Sequence, residues 1–401
     1  MAAESLTTLS NVLTRRYEKR MEIMAVEEDP FLSSIKNDTN FGANDCAISI
    51  GYGDPQGGSI TYATSRTNRT GSSNERFILT RAVDYHTCEL TAEALAAGKG
   101  AENTVMDAMD RAMEGGMRMI RRSLEIGVYG GGTGRRGNIN ATVSGTTLTL
   151  AVPSESVNFQ KGMTIYFAAP NGGGLRDSGE TMTISSISDD GSMVVSANLN
   201  TISGLTAGDE IIRAGDYNAH IKGLAAWLPL TAPTATAFFG VDRSQHTEWL
   251  GGVRYASTGA PKLETLSRAN VRLARNNPSG KRTAFVNFED YADIIIALGA
   301  KAIVEPMKSS RGEFGFESLK LYTPRGMLTV VGSVNVPKGD FYILQLDTWV
   351  LKSLGKCPHI VGEDGLKVRR DDTTADSVFW QLRYWAQLGC FAPGWNLHGQ
   401  W

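Results

Sequence analysis

The sequence predicts an α+β chain with a small all-β domain set inside it. Three observations lead there. Met106, Met109, Met113, Met117, Ile120 and Leu124 are spaced 3, 4, 4, 3 and 4 apart, which draws one stripe along a long helix. Residues 139–215 contain no Cys, His or Trp and are rich in Thr, Ser, Val and Ile, in short runs broken by turn residues. The sequence on either side returns to mixed helix and strand patterns. A chain of 401 residues suits about two to three domains of roughly 100–200 residues. With 41% apolar residues it can bury a sizeable core.

The elements follow in order. Residues 1–30 are polar, with the basic patch Arg15-Arg16 and the acidic run Glu27-Glu28-Asp29; they read as an arm with little apolar surface of its own. Cys46–Ile50 and Ser59–Ala63 read as short strands, and Phe77–Val83 resumes a strand after an almost wholly polar stretch. Two strands around a long polar tip suggest an extended hairpin, marginal unless it lies on something else. The helix over 101–126 spans about 39 Å at ~1.5 Å per residue. Gly115-Gly116 inside it marks close packing or a bend, and Gly127 ends it. Gly130–Gly137 follows a helix and precedes a weak strand, so it reads as a flexible linker, without the strand-to-helix setting or the Lys of a phosphate-cradling loop.

Within 139–215 strands are expected at 146–152, 163–167, 181–187, 192–196 and 210–213, making a small barrel or sandwich. Beyond it, helices are expected at 265–276 and 287–298, and strands at 283–288, 319–322, 327–331 and 341–346. Asp347 is expected to cap a short helix to Leu354. Ser377–Phe391 alternates as a long strand buried on one face.

The chemistry is sparse. Forty basic and 42 acidic residues leave a formal charge of −2, which argues against a polyanion-coating protein. Cys46, Cys88, Cys357 and Cys390 show no metal-ligand spacing and read as reduced, mostly buried thiols. Cys357-Pro-His359 lacks further ligands nearby. His86, His220, His246, His359 and His398 have no helical ligand spacing, and no motif assigns a nucleophile, acid and base. No catalytic residue, cofactor or metal is expected. No apolar stretch approaches the roughly 20 residues a membrane span needs, and no signal peptide is expected.

The order arm, extended two-stranded loop, long methionine-rich helix, β insertion, compact α/β region and terminal aromatic strand resembles the major capsid protein of tailed bacteriophages, with the Hong Kong 97-type fold. The stretch His220-Ile-Lys-Gly-Leu-Ala-Ala-Trp-Leu-Pro229 is similar to a segment common in that family. The resemblance implies an N-arm at 1–30, an extended loop with flanking peripheral strands at 31–98, and a spine helix and linker of the peripheral domain at 99–138. It further implies an inserted β domain at 139–215, a mainly axial domain at 216–365, and a C-terminal strand and tail at 366–401. It implies a virion protein that assembles with itself, as pentamers and hexamers, into an icosahedral shell in the host bacterial cytoplasm. That shell encloses double-stranded DNA without sequence-specific binding and without a membrane.

Expected partners are a scaffolding protein, a portal protein and a decoration or cement protein. Arg66, Arg69 and Arg76, with Arg15 and Arg16 of the arm, are the candidate inter-subunit contacts. No Lys lies between Lys36 and Lys99, so the Lys–Asn isopeptide crosslink of some members is not expected. Only a short arm precedes the loop, so scaffolding is expected from a separate protein. The inserted domain either stabilises the subunit or braces neighbours. The rival reading is a β-rich tail-associated or cell-surface binding protein that uses 139–215 as its recognition module.

Overall fold

The computed structural model describes residues 29–42, 44–93, 108–141, 145–276, 281–298, 304–309, 312–361, 369–371 and 376–401. The expected arm, with Arg15 and Arg16, lies outside the described residues apart from Asp29 and Pro30. The chain is mixed α+β and divides into two units.

The smaller unit holds described residues of 85–121 and 358–383. Its spine is the helix Ala108–Tyr129, which continues into the larger unit. Gly116 has a packing reason. A Cβ there would lie 2.4 Å from Cys88 Sγ and 2.7 Å from Leu382 Cδ1, so only glycine lets these groups approach. Gly115 has no such neighbour. The first half of the strand Ser377–Cys390 pairs antiparallel with His359–Ile360 and Arg369–Asp371. Ala92 N–H donates to Asp376 O (2.9 Å), and Ser377 Oγ to Glu89 (2.6 Å).

The larger unit begins at a fixed point. Asp29 caps the turn Pro30–Ser34, accepting from Phe31 N (2.9 Å) and Leu32 N (3.2 Å). Its other oxygen accepts from Ser333 Oγ (2.8 Å) and Asn335 Nδ2 (2.9 Å). Burial raises the Asp29 pKa, and these donors oppose the rise. The cap seats Phe31 in an aromatic cluster with Tyr129, Phe285 and Trp349.

Two sheets dominate this unit. The seven-stranded sheet runs, in order, Val253–Ala256, Leu397–Gln400, Asp340–Leu344, Arg282–Asn287, Gly326–Ser333, Gly312–Thr323 and Val304–Ser309. The helices Lys262–Leu273 and Phe288–Leu298 cover it through Leu266, Ala269, Leu273 and Ile294, packed on Ala284, Val286, Val330 and Ile343. Asn287 caps the second helix as its sequence position suggests, accepting from Glu289 N (3.0 Å). The first helix begins at Lys262, directly after Pro261, three residues before the expected start.

The six-stranded sheet orders Arg135–Asn138, Glu210–Arg213, Thr164–Ala168, Met182–Ile187, Ser192–Val195 and Thr147–Thr149. Its outer strands join through Asn140 N to Thr149 O (2.9 Å) and Ala151 N to Asn138 O (2.8 Å), so the sheet closes into a barrel. Ile139, Leu148, Phe159, Ile165, Phe167, Met193 and Ile211 fill it.

Three local expectations are corrected. The long helix does not stop at Gly127 but runs to Tyr129. The glycine run after it is packed, because a Gly134 Cβ would lie 2.5 Å from Asp216 O, and Asn218 N–H donates to Thr133 O (3.0 Å). Trp349–Ser353 is a strand, not a helix capped by Asp347. It lies antiparallel to Ala386–Cys390 and parallel to Lys36–Asp38, and these two ladders satisfy its backbone better than one isolated helical turn could.

Candidate assembly surface

The hairpin of Asp45–Gly53 and Ser73–Thr80 is a two-stranded sheet separate from the larger ones. Its register sets Ile48 opposite Phe77 and Ile50 opposite Glu75. Alternation sends Ile48, Ile50, Phe77 and Leu79 inward, where they are buried, and Arg76 and Ile78 outward. Phe77 packs on Trp227 (5.1 Å between ring centroids) and Phe238 (6.3 Å). Ile78 N–H donates to Phe239 O (2.9 Å), so the hairpin base is tied to the body by backbone as well as side chains.

Phe239 carries a φ of +48°, a left-handed conformation that costs a non-glycine residue about 1–3 kcal/mol. The surrounding packing holds it there: Trp227 lies 5.7 Å away and Lys222 Nζ sits 4.6 Å above its ring. Arg243 lies over Phe238 at 4.0 Å, and burial lowers its pKa to about 10.

Beyond Gly53 the hairpin becomes a tip whose bonds, among the described residues, are local. Gln56 N–H donates to Thr70 Oγ1 (2.9 Å), and Thr70 N–H returns a bond to Gln56 O (2.9 Å). The expected strand at Ser59–Ala63 is replaced by a helix, Tyr62–Thr67, capped by Thr61, and that helix buries no residue. A hydroxyl at the cap position satisfies an amide that a strand would leave unpaired here. Ile60 and Tyr62 are 104% and 84% exposed, the two most exposed large apolar side chains among the described residues. Arg66 and Arg69 share this tip, joined by Arg69 Nε donating to Arg66 O (3.0 Å). Arg76 sits apart on the outward face of the strand. All three are exposed, and none forms an ion pair among the described residues.

A buried charge network in the same unit was not legible in the sequence. Arg213 donates to Asp84 (2.6 Å) and Asp216 (2.7 Å), and Arg136 lies 3.6 Å from Asp216. Burial works against the Arg213 charge, yet Asp216 and Asp84 hold its pKa above the usual value. Ser123 Oγ accepts from Arg136 (3.2 Å) and lies 3.2 Å from His220 Nε2. Burial lowers the His220 pKa, which keeps the ring neutral. The network joins the hairpin's following strand, the long helix and both crossings into the barrel. Among the described residues, no group of three His, Cys, Asp or Glu side chains could hold a metal ion. No described helix is long and apolar enough to cross a membrane.

Solved structures share this architecture along the whole chain. A chain of the cyanophage A-1(L) capsid asymmetric unit aligns over 99% of both chains, with a TM-score of 0.56 and 13% identity. A chain of the capsid of a native GTA particle aligns over 100% of this chain and 99% of its own, at 0.52 and 9%. The empty GTA particle capsid gives 0.51 and 9%, with the same coverage. The chain has the fold of these capsid proteins. No family model and no curated protein matches it in sequence.

Three more exposed aromatic side chains lie elsewhere in the larger unit. Trp249, Phe391 and Trp395 are 41%, 49% and 42% exposed. The turn Pro393–Trp395 runs beside Trp249: Gly394 N–H donates to Trp249 O (3.2 Å). A Cβ on Gly394 would lie 2.9 Å from Trp249 Cα, so glycine permits the approach. The cysteines are free; Cys390 is buried and the other three are half-buried, fewer buried thiols than expected.

Proposed function

We propose that this chain is a major capsid protein that assembles with itself into the icosahedral head shell of a tailed double-stranded DNA phage. The observation that carries the reading is the likeness in fold to capsid chains over the full length of both. The hairpin supports it: a segment whose tip buries nothing within the subunit gains burial only against another molecule.

In this reading the chain has the Hong Kong 97-type arrangement. The hairpin is the extended loop, and Ala108–Tyr129 the spine helix of a peripheral domain. The seven-stranded sheet with its two helices is the axial domain, and the closed barrel is an inserted domain. The role is structural and non-catalytic, in pentamers and hexamers of a virion put together in the host cytoplasm. Scaffolding, portal and cement proteins are its partners. Arg66, Arg69 and Arg76 pair with acidic groups of neighbouring subunits. A near-neutral charge lets the wall enclose DNA without adhering to it. The lysine-free loop implies that the shell is not covalently crosslinked: boiled, reduced particles should run as one band near 43.3 kDa, and a ladder of covalent oligomers would contradict that.

Electron microscopy of purified particles tests the main reading. Closed polyhedral shells containing this chain are expected. Its recovery only in tails or as a monomeric binding protein would refute the reading.

A further inference from the structure

We propose that the cavity between the end of the long helix, the glycine run after it and His220 binds a single halide-sized anion that pins the barrel crossings to the helix. The inference concerns the subunit alone and goes beyond the shell reading. Gly127, Gly132, Gly134, Arg135, Arg136 and His220 are among the cavity walls, and all belong to the larger unit. The space holds about one water-sized occupant, so phosphate and sulfate are excluded by size.

Two donors at this place lack an acceptor. Arg136 is 4% exposed, and its Nε has no hydrogen-bond partner among the described residues. An arginine Nε–H can only donate. His220 Nδ1 is likewise buried without a partner. It stands against the helix end, where a Cβ on Gly127 would lie 2.2 Å from it. Ser123 Oγ accepts from Arg136 Nη2 (3.2 Å), so its own proton is free for His220 Nε2, also 3.2 Å away. That bond places the ring proton on Nδ1. A buried donor left unpaired is costly, and one acceptor between these two N–H groups relieves both.

Charge selects an anion over water. Arg135 is paired with Glu155 at 2.6 Å. Arg213 holds Asp84 at 2.6 Å and Asp216 at 2.7 Å. Arg136 lies 3.6 Å from Asp216, longer than a hydrogen bond, and is the poorly compensated cation of the three. Burial and then the Arg213 charge lower its pKa, as expected for a cation short of counter-charge. An anion here joins Arg136 of the outgoing crossing to His220, which follows the return crossing and rests on the helix.

The test is thermal unfolding of the full chain as chloride or bromide replaces gluconate, an anion too large for the cavity, at constant ionic strength. Stability should rise with halide and saturate, as binding to the folded state alone requires. His220→Phe removes one donor and should abolish the halide-dependent part. If that variant does not fold, the unaltered chain decides: its bromide-soaked crystals should show an anomalous scattering peak within hydrogen-bond reach of Arg136 Nε and His220 Nδ1. Water alone at that place would overturn the proposal. So would bromide there without halide-dependent stability, an adventitious ion only. A halide response that never saturates, or that His220→Phe retains, would overturn it too.

Discussion

Replacing Arg213 with Met removes the cation that holds two buried carboxylates. Arg213 is 20% exposed, Asp84 6% and Asp216 11%, so water can rescue none of them fully. One oxygen of each carboxylate already lacks a hydrogen-bond partner, but Asp216 keeps Arg136 at 3.6 Å, whereas Arg213 is the one ion-pair partner of Asp84 among the described residues. Asp84 therefore becomes the orphan. Breaking a buried pair by deleting one partner costs about 3–5 kcal/mol, because the remaining charge stays desolvated. Adding Asp84→Asn to the Met variant removes that charge and should return roughly half of the loss, since a neutral amide costs only about 1–3 kcal/mol when poorly paired. The assay is urea unfolding of the unassembled subunit, comparing midpoints of the three proteins. A loss below about 1 kcal/mol for Arg213→Met, the range of solvated ion pairs, would refute the claim that the network is buried and joins the barrel crossings to the body. A double variant less stable than the single would equally refute the assignment of Asp84 as the orphan.

Three further outcomes follow from the same geometry. Gly127→Ala should destabilise by about 1–3 kcal/mol in thermal unfolding, although Ala is the better helix former, because its Cβ would lie 2.2 Å from the His220 ring; a gain in stability would contradict that packing. Burial pushes the Cys390 thiol up to about 12, so at pH 8 its thiolate fraction is only about 10⁻⁴ and a maleimide should label it slowly until the protein unfolds; prompt labelling of the native chain, read by peptide mass, would contradict the burial. Changing Arg66, Arg69 and Arg76 together to Ala should leave subunit unfolding unchanged, since all are exposed, but lower shell yield and shell stability, each lost pair contributing about 0.2–1 kcal/mol per interface; unchanged assembly would remove these residues from the contact.

Much of the fold was legible because it rests on local periodicity. The strand ends of the hairpin, the methionine stripe and the Thr- and Val-rich strands of the barrel each announce a period. Elements decided by partners far away in sequence were not legible. Trp349–Ser353 is a strand because Lys36–Asp38 and Ala386–Cys390 flank it, and nothing within five residues reveals that. The glycines after the long helix suggested looseness, but Gly134 is needed for a close approach to Asp216. The candidate surface was legible by half. Its arginines stood out in a polar stretch, whereas Ile60 and Tyr62 looked like an ordinary strand, and only their exposure marks them. Trp249 and Trp395 stand 146 positions apart and meet through a turn that no sequence pattern encodes.

The most direct test of the central claim is electron microscopy of the expressed chain at assembly concentrations. Curved walls built from five-fold and six-fold rings of this chain are expected, with uniform closure improving when a scaffolding protein is supplied. Efficient uniform closure by the chain alone would count against the scaffolding proposal only. A monodisperse monomer at every concentration, with or without scaffold, would contradict the capsid reading.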